Sequence, residues 1–492
     1  MLGLALAISL LAGPASDGGY VVLLDRAADP AYRPAAERLA ASHGAEVKTF
    51  DGGDLPSLRG VLGSTPPRYV AFVLPPARID AQFAQQLLVT LSGLDEDPFL
   101  DVAYAFVTGR DGPHAERFVA QVEAARQRPF GRKAFLFGSW EGAAEPPPAA
   151  LTALAAQGFE GREGYLLASL APAARIERAR ALLADAASSD LLLFFSHGYP
   201  DRMEACYSGA EFRAWGVRFG PGLLVQCACF NGCPGRWWDN APAGVVERPA
   251  PDPEQSVALA LLDSGIAGYV AGVDMWHGPL AMQFTARLLD EGLSLGEASK
   301  ASFDRLALDF QPEPPRYGPM AERGPRSEGN QNRRLNAAAM VVYGDPAWAP
   351  TAGRAAKRVT AQRSEVDGRN RITITAQPLV EGGIGNDFQL AQAFTTDYFS
   401  VRSNDWAKEA SLEIVRQVDW PAGAADAPRF RVVEATCGPD RIPTGEPQAV
   451  VETTPGGRRL HLRVPFRVPM LNSPWPMGLA VRGFQVTLEE TR

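Results

Sequence analysis

Short apolar runs alternate with segments of helical spacing through the first 350 residues of the chain. The run "YVVLLDR" at 20–26 is typical of a buried strand, and "PAYRPAAERLAASHG" after it carries apolar residues at helical spacing and ends near Gly44. The runs "AEVKTFD", "RYVAFVLP", "DVAYAFVTG" and "KAFLFGS" follow, interleaved with helical segments at 80–92 and 114–127. This order of elements predicts an α/β fold with a largely parallel sheet.

A second set of the same kind begins after the Pro-rich segment "AEPPPAA". Its predicted strands lie in "EGYLLAS", "DLLLFFSHG", "GLLVQCAC" and "GIAGYVAGV", and its predicted helices cover 147–157, 171–187 and 254–264. Runs such as "LLLFF" have no polar alternation, which is what a strand covered on both faces needs. The sheet is therefore expected to be covered on both faces.

From about residue 358 the pattern changes to strands broken by Gly and Pro turns, among them "RITITAQ", "ASLEIVRQV", "RFRVVEA", "RRLHLRVPFRV" and "LAVRGFQVTLEE". This alternation predicts an all-β module, a sandwich, over 358–492. Residues 310–334 between the two parts lack any apolar period and are expected to form a loop. Its five arginines make it a candidate autoprocessing site, with an exposed linker as the alternative.

Composition limits the class of protein. A chain of 492 residues is too long for one hydrophobic core, so two or three domains are expected. With 46% hydrophobic and 21% charged residues the chain is an ordinary globular protein. A net charge of −8 provides no basic surface to neutralise phosphates, which argues against a nucleic-acid partner.

The opening segment "MLGLALAISLLAGPAS" combines a short apolar run with a small-x-small pair at Gly13 and Ala15. This pattern predicts a signal peptide over 1–15 and therefore export to the periplasm, cell surface or medium. The alternative is a buried N-terminal strand or helix. About eleven apolar residues are too few to span a bilayer, which takes about twenty, and no membrane span is expected elsewhere.

Two predicted strands end in residues that can perform covalent chemistry. "DLLLFFSHG" ends in His197 and Gly198, and "GLLVQCAC" ends in Cys229 after one crossover's length of chain. Ligands of open α/β sheets bind beyond the carboxyl ends of the strands. The two strands are expected to be neighbours, about 5 Å apart, or next neighbours at about twice that distance.

An imidazole that faces a thiol across such a rim raises the thiolate fraction, and the thiolate is the form that attacks a carbonyl. Gly198 lacks a Cβ, so a substrate backbone can approach it closely. Its N–H can join that of Cys229 in stabilising a developing oxyanion. The pattern therefore predicts acyl transfer by a Cys/His dyad.

The cysteine cluster has two other interpretations. Cys206, Cys227, Cys229, Cys233 and His197 could ligate zinc, although the cluster has no C-x-x-C pair and two of its cysteines share one face of a strand. Alternatively, a disulfide could join Cys206 to Cys233 or Cys227, which an exported protein permits.

An acidic group at Asp95, Asp97 and Asp101 is a candidate calcium site, with a solvated turn as the alternative. Cys437, far from the other cysteines in sequence, is expected to be a small buried hydrophobe.

The two strand ends resemble the gingipain-type cysteine peptidases, members of the caspase-like clan. "FFSHG" is similar to the strand-His-Gly motif of the family's base, and "ACFNG" at 228–232 is similar to its Ala-Cys-x-Asn-Gly nucleophile motif. The resemblance selects Cys229 from the cluster. "FLFGSWEGA" implies that Glu141 orients His197, and "GVDMWHGP" implies that Trp276 lines the S1 pocket. "VVYGDPAWAP" resembles the Gly-Asp-Pro signature near the end of the peptidase domain.

This resemblance implies a caspase-like α/β/α sandwich with a mostly parallel sheet, in an N-terminal subdomain at 17–130 and a catalytic subdomain at 131–352. An immunoglobulin-like β-sandwich at 358–492 follows. The implied function is an exported cysteine endopeptidase that acts on a protein or peptide through an acyl-enzyme. It requires no cofactor, with calcium as a candidate structural ion. The alternative is a peptidase-like fold used for binding or scaffolding, with cleavage lost or restricted.

Overall fold

The computed structural model describes most of the chain, and the helices and strands below belong to these residues. The described residues are 19–63, 65–140, 151, 154–155, 158–167, 169–241, 244–274, 284–285, 287–307, 339–354, 359–376, 409–437, 440–454, 457–469 and 484–491.

The strands are numbered in chain order. Strands β1 to β11 span Tyr20–Asp25, Glu46–Phe50, Tyr69–Val73, Ala103–Val107, Lys133–Trp140, Glu160–Leu167, Leu191–Phe195, Gly198–Tyr199, Arg202–Met203, Tyr207–Ser208 and Leu223–Cys227. Strands β12 to β23 span Trp237–Ala241, Gly244–Arg248, Gly268–Gly272, Met340–Tyr343, Val359–Val366, Arg369–Ala376, Glu409–Trp420, Arg429–Cys437, Asp440–Arg441, Gln448–Thr454, Gly457–Pro469 and Phe484–Thr491.

The α-helices have sequence signals at several of their ends. Helix α1 (Arg33–His43) has a proline in its first turn and is capped by Gly44, whose φ of 60° lies in the left-handed region that favours glycine. The helix that follows β10 begins at a capping box formed by Ser208 and Glu211. Helices α1 to α8 span Arg33–His43, Leu58–Leu62, Ala81–Leu91, Gly112–Arg126, Pro172–Ala186, Gly209–Trp215, Val257–Leu262 and Leu295–Ala307.

The main sheet has ten strands in the order β2-β1-β3-β4-β15-β14-β11-β7-β5-β6. The first five strands in this order are parallel to one another, and so are the last five. The antiparallel pair β14–β15 joins the two halves. Every residue of β1, β3, β4 and β14 is buried, so helices and loops cover both faces. The predicted mostly parallel α/β sheet is confirmed.

The C-terminal part consists of two antiparallel sheets, with the orders β16-β17-β23-β19-β20 and β18-β22-β21. Side chains from both sheets form one hydrophobic core, which includes Ile372, Ile374, Leu460, Leu462 and Val486. The residues of the alternating strands that face inward enter this core. The predicted all-β module is therefore confirmed.

Several predicted features lie outside the described residues: the leader at 1–15, the loop at 310–334 and most of the helix at 147–157. The domain limits remain predictions. Several elements were not predicted, among them the strands β15, β16 and β21, the β12–β13 hairpin and the helices α2, α6 and α8. Among the described helices, none is both long and apolar enough to cross a membrane.

Candidate active site

His197 and Cys229 lie at the carboxyl ends of adjacent strands. Strands β7 and β11 pair in parallel, and the last matched residues are Phe195 and Cys227. The Ser196 N–H donates to the Cys227 carbonyl at 3.2 Å, which extends the ladder by one residue. His197 lies two residues after Phe195, and Cys229 lies two residues after Cys227. Both therefore lie just beyond the ends of two neighbouring strands, which are about 5 Å apart. The structure thus selects the nearer of the two strand spacings that the sequence left open.

The exposure of the two residues also fits a site open to solvent. His197 is exposed and Cys229 is partly exposed, although the strands that precede them are almost entirely buried. The imidazole and the thiol therefore both lie where a ligand from solvent can reach them.

Strand β5 lies on the other side of β7, with Gly138 opposite Phe195. A Cβ at Gly138 would lie 2.4 Å from the Phe195 carbonyl oxygen, so the strands approach closely because residue 138 is glycine. The Ser139 and Ser196 hydroxyls are 2.8 Å apart, and Ser196 Oγ donates to the Glu204 carbonyl at 2.7 Å. These contacts bring the carboxyl end of β5 to the rim that carries His197.

Glu141 and Trp276 lie outside the described residues. The strand directly before Glu141 is β5, the neighbour of the histidine strand. The strand shortly before Trp276 is β14, which pairs with β11 through Gly268 and Leu223. Their assigned roles remain predictions from the sequence.

A buried asparagine joins the loop after Cys229 to the loop after His197. The Asn231 side chain is fully buried, and its Nδ2 donates to the carbonyls of Tyr199 and Arg202, the latter at 2.9 Å. Its Oδ1 accepts from Gln226 Nε2 at 2.7 Å. The Tyr269 hydroxyl contacts Gln226 Oε1 and lies 3.0 Å from the Asn231 carbonyl oxygen. Asn231 stood in the quoted "ACFNG" motif, but the sequence indicated no role for it.

Asn231 also explains why residue 198 is a glycine. A Cβ at residue 198 would lie 2.6 Å from Asn231 Oδ1 and 2.7 Å from its Cγ and Nδ2. The missing side chain of residue 198 therefore makes room for Asn231, and the approach of a substrate backbone to Gly198 remains a prediction. The role of the Gly198 N–H in an oxyanion hole remains a prediction.

The residue after Cys229 has a strained backbone. Phe230 has a φ of 57°, which non-glycine residues rarely adopt. Its N–H donates to the Asp274 carbonyl at 3.2 Å, and its carbonyl accepts from the Cys233 N–H at 2.9 Å. The Gly232 N–H donates to the Gly272 carbonyl at 2.7 Å. The loop that carries Cys229 is therefore held against the end of β14.

The other cysteines near the site are structural thiols. Burial raises the pKa of Cys206 to about 12 and raises the pKa of Cys227 still further. Cys233 is fully buried, and burial together with the charge of Asp80 raises the pKa of its thiol. Its Sγ lies 3.3 Å from the Arg236 carbonyl oxygen, to which it donates. All three thiols are therefore protonated and unreactive at neutral pH.

Neither alternative for the cysteine cluster is found. Cys206, Cys227, Cys229 and Cys233 form no disulfide in the structure, so the alternative of a bridge from Cys206 to Cys233 or Cys227 is not found. Among the described residues, the group of three potential metal ligands whose donor atoms converge is Asp304, Glu452 and His461, far from the cysteines in sequence. The cysteine cluster does not converge in this way.

The acidic loop before β4 is more than a solvated turn. Burial, together with the charge and hydrogen bond of Asp95 and the charge of Asp97, raises the pKa of Asp101 to about 7. Burial also raises the pKa of Asp97 to about 6. The Leu94 N–H donates to Asp101 Oδ2 at 3.2 Å. Calcium binding by these residues remains a prediction.

The Gly-Asp-Pro segment serves the fold. Asp345 is fully buried and accepts a hydrogen bond from the Tyr20 hydroxyl at 3.0 Å. Its other oxygen lies 2.8 Å from His43 Nε2 and 3.3 Å from Arg126. Burial alone would raise the pKa of Asp345, but these two partners lower it. This residue ties the start of β1 and the ends of α1 and α4 to the segment after β15.

A second buried polar group lies between helix α8 and the β module. Lys300 Nζ donates to Asp304 Oδ2 at 2.6 Å and to Glu452 Oε1 at 2.7 Å. His461 Nε2 lies 2.7 Å from Glu452 Oε2, and the Phe99 ring stacks on His461 with centroids 3.7 Å apart. We call Lys300, Asp304, Glu452 and His461 the ionic junction. The ammonium group of Lys300 supplies the cation that its two carboxylates need.

Charge pairing dominates the electrostatics of the ionic junction. Burial alone would raise the pKa of Glu452, but the hydrogen bond from His461 and the charge of Lys300 lower it to about 2. Burial alone would lower the pKa of Lys300, but Asp304 and Glu452 raise it. The sequence did not indicate this cluster, because its members come from segments about 150 positions apart.

Comparison with known proteins does not assign the chain to a family. No family model matches the sequence, and no curated protein matches it. One solved structure, described as "Structure of Protease", is 8% identical, with a TM-score of 0.43, and the match covers 92% of this chain and 97% of that chain. A TM-score this low does not establish a common fold, so the likeness carries no weight for function. The site is defined by its own geometry, a thiol and an imidazole at one rim of a mostly parallel α/β sheet.

Proposed function

We propose that this protein is an exported cysteine endopeptidase with a caspase-like α/β/α core and an immunoglobulin-like β module. The observation that carries the proposal is the parallel register of β7 and β11, which brings His197 and Cys229 to the same rim on adjacent strands. The sequence resemblance to gingipain-type peptidases selects the same two residues.

The proposed reaction has two acyl-transfer steps. His197 takes the proton from Cys229, and the thiolate attacks the scissile carbonyl while the N–H groups of Gly198 and Cys229 stabilise the oxyanion. His197 then protonates the leaving amine, which leaves a thioester on Cys229. Water, deprotonated by His197, hydrolyses the thioester and releases the acid and the thiol. Glu141 orients the imidazole, and Trp276 lines the S1 pocket.

The chemistry of the four cysteines supports the choice of nucleophile. Cys206, Cys227 and Cys233 have raised pKa values caused by burial, so their thiolate fractions at neutral pH are negligible. Cys227 and Cys229 are both partly exposed, but Cys227 lies within β11, whereas Cys229 lies beyond its end and shares its rim with the exposed His197.

Asn231 acts on the reaction through the two loops that it joins. Its side chain is fully buried, and its hydrogen bonds hold the His197 loop against the Cys229 loop. A nucleophile and base need a separation defined to a few tenths of an ångström, which neutral, fully satisfied buried hydrogen bonds supply. We therefore assign Asn231 as a positioning residue.

Thiol labelling tests whether the dyad is active. Iodoacetamide at pH 6.5, followed by peptide mass spectrometry, is expected to alkylate Cys229 first. His197→Ala is expected to slow that labelling by about a hundredfold, the scale of general-base assistance. Cys206 is the internal control, because its buried thiol is expected to stay unlabelled. Equal, slow labelling of Cys229 and Cys206 would contradict an activated nucleophile.

Digestion of a peptide library separates an enzyme from a binding protein. Wild type is expected to cleave library members that Cys229→Ala leaves intact, and the cleavage sites define the P1 preference. Rapid, His197-dependent labelling of Cys229 without cleavage of any peptide would instead favour a peptidase-like binding protein.

A further inference from the structure

The hairpin of β12 and β13 follows the Cys229 loop directly, and its base is anchored. The Gly235 N–H donates to the Ile79 carbonyl at 3.1 Å, and Cys233 Sγ reaches the same carbonyl at 3.8 Å. Arg236 lies 3.4 Å from Asp80. These contacts fix the chain to the segment that follows β3, immediately before β12 begins at Trp237.

Trp237 contacts both loops of the dyad. Its ring lies 5.9 Å from that of Tyr199 in an edge-to-face arrangement at 73°, and 5.5 Å from the ring of Phe230. Tyr199 comes two residues after His197, and Phe230 comes directly after Cys229. We call Tyr199, Phe230 and Trp237 the aromatic shelf.

The aromatic shelf is partly open to solvent. Phe230 is buried, whereas Tyr199 and Trp237 are partly exposed. The Arg202 guanidinium lies over the Tyr199 ring, 4.0 Å from its centroid, and Arg202 itself is exposed. The shelf therefore presents aromatic surface beside the dyad, with a positive charge at one end.

We infer that the aromatic shelf is a subsite for a large apolar or aromatic side chain of the peptide substrate, close to the scissile bond. This inference rests on the proposed function. An extended peptide advances about 3.3–3.6 Å per residue, so side chains one to three residues from the scissile bond reach the loops that follow His197 and Cys229. Partly exposed aromatic rings gain most from contact with another aromatic or large apolar group. Arg202 disfavours lysine or arginine in the same subsite through charge repulsion.

The chain offers a matched control for the test. Trp238 is the next residue of β12, and successive side chains of a strand point to opposite faces, so it is directed away from the face that carries Trp237. Trp237→Ala and Trp238→Ala remove the same number of atoms from one strand. Their melting temperatures show whether each variant folds.

The experiment measures kcat/KM on quenched fluorescent peptides that carry Phe, Ala or Lys at each position from P4 to P2′. Wild type is expected to prefer Phe over Ala by about tenfold or more at one position, the range of a well-packed apolar subsite, and to disfavour Lys there. Trp237→Ala is expected to bring the Phe/Ala ratio close to one, while Trp238→Ala keeps it. A folded Trp237→Ala variant with the wild-type ratio, or a wild type without any Phe preference, would overturn the inference.

A binding measurement separates this failure from failure of the proposed function. If wild type cleaves no peptide, the endopeptidase proposal fails, and fluorescence anisotropy with the same peptides still tests the shelf. Tighter binding of the Phe peptide than of the Ala peptide, lost in Trp237→Ala and kept in Trp238→Ala, supports the subsite. Equal binding of the two peptides to wild type overturns it.

Discussion

The hydrogen bonds around Asn231 join neutral groups, whereas the ionic junction around Lys300 joins charged ones. Both networks are buried, and both connect segments far apart in sequence. Burying neutral polar groups costs a moderate free energy of desolvation, and their hydrogen bonds do not depend on a charge. Buried charges cost far more to desolvate and are tolerated only while each keeps its partner. The two loops of the candidate site are thus held by uncharged groups, and the β module is held by charged ones.

Loss of the junction's only ammonium group is expected to have the largest effect. Lys300→Met leaves Asp304 and Glu452 without their counter-charge, and breaking a buried ion pair costs about 3–5 kcal/mol. Urea denaturation should show this loss in the unfolding of the β module or of the whole chain. Lys48→Met is the control, because Lys48 pairs with Glu46 on the surface, where a pair is worth about 0–1 kcal/mol. Equal losses in the two variants would show that the junction is not a true buried ion cluster.

Asn231 is expected to give the next largest effect, on activity. Asn231→Ala removes a hydrogen bond from the carbonyls of Tyr199 and Arg202 and leaves the buried Gln226 amide without Asn231 Oδ1, at about 1–3 kcal/mol for that buried group. Peptide cleavage and the rate of Cys229 alkylation should fall together, by about a hundredfold, through loss of loop geometry.

Asn231→Asp makes the neutral network titratable. A buried carboxylate facing two carbonyl oxygens has a raised pKa, and only its protonated form can donate to them. Its alkylation rate relative to wild type at the same pH should therefore rise as the pH falls. A pH-independent ratio would indicate that Asn231 only fills space.

Acid should weaken the ionic junction. The pKa of Glu452 is lowered from 4.5 to about 2, so its contribution to stability is complete above about pH 4.5 and is lost as the pH falls towards 2. Burial raises the pKa of Asp304, which acts in the opposite direction and offsets part of this loss. The unfolding free energy of wild type should fall over this window, and Glu452→Gln should reduce the slope. An unchanged slope in Glu452→Gln would assign acid sensitivity to other carboxylates.

The smallest effect is expected from Cys206. Its thiol is buried and protonated and lies outside the proposed reaction, so Cys206→Ala should leave kcat/KM unchanged. The lost sulfur should lower stability by about 1 kcal/mol, the scale of a small cavity. A loss of cleavage comparable to that of Cys229→Ala would place Cys206 in the chemistry and contradict the assignment.

Local signals explain what could be predicted. The apolar runs that end in His197 and Cys229 become β7 and β11, because continuous apolar strands are stable only inside a covered sheet. The alternating pattern after residue 358 becomes two antiparallel sheets, because one face of each strand enters the core. These features depend on residues close together in the chain.

The elements that were missed depend on distant residues. The β12–β13 hairpin contains one proline, Pro242, and only short apolar runs, and its position depends on contacts with Ile79 and Asp80. The disulfide alternative is not found, and the sequence could not decide it because spacing along the chain does not reveal where a cysteine side chain lies. The packing of Gly198 against Asn231 was also missed, since it depends on a contact between two loops.

The sequence by itself determined the class of fold, the all-β module and the two candidate reactive residues, since each depends on a local pattern of apolar and polar positions. The tertiary structure decided that β7 and β11 are neighbours in matched register and that Asn231 joins the two loops at their ends. It also decided that Cys206 and Cys233 are buried thiols and that Lys300 meets Glu452. These outcomes depend on which surfaces the folded chain removes from water, and burial sets both the energies of polar contacts and the reactivity of thiols.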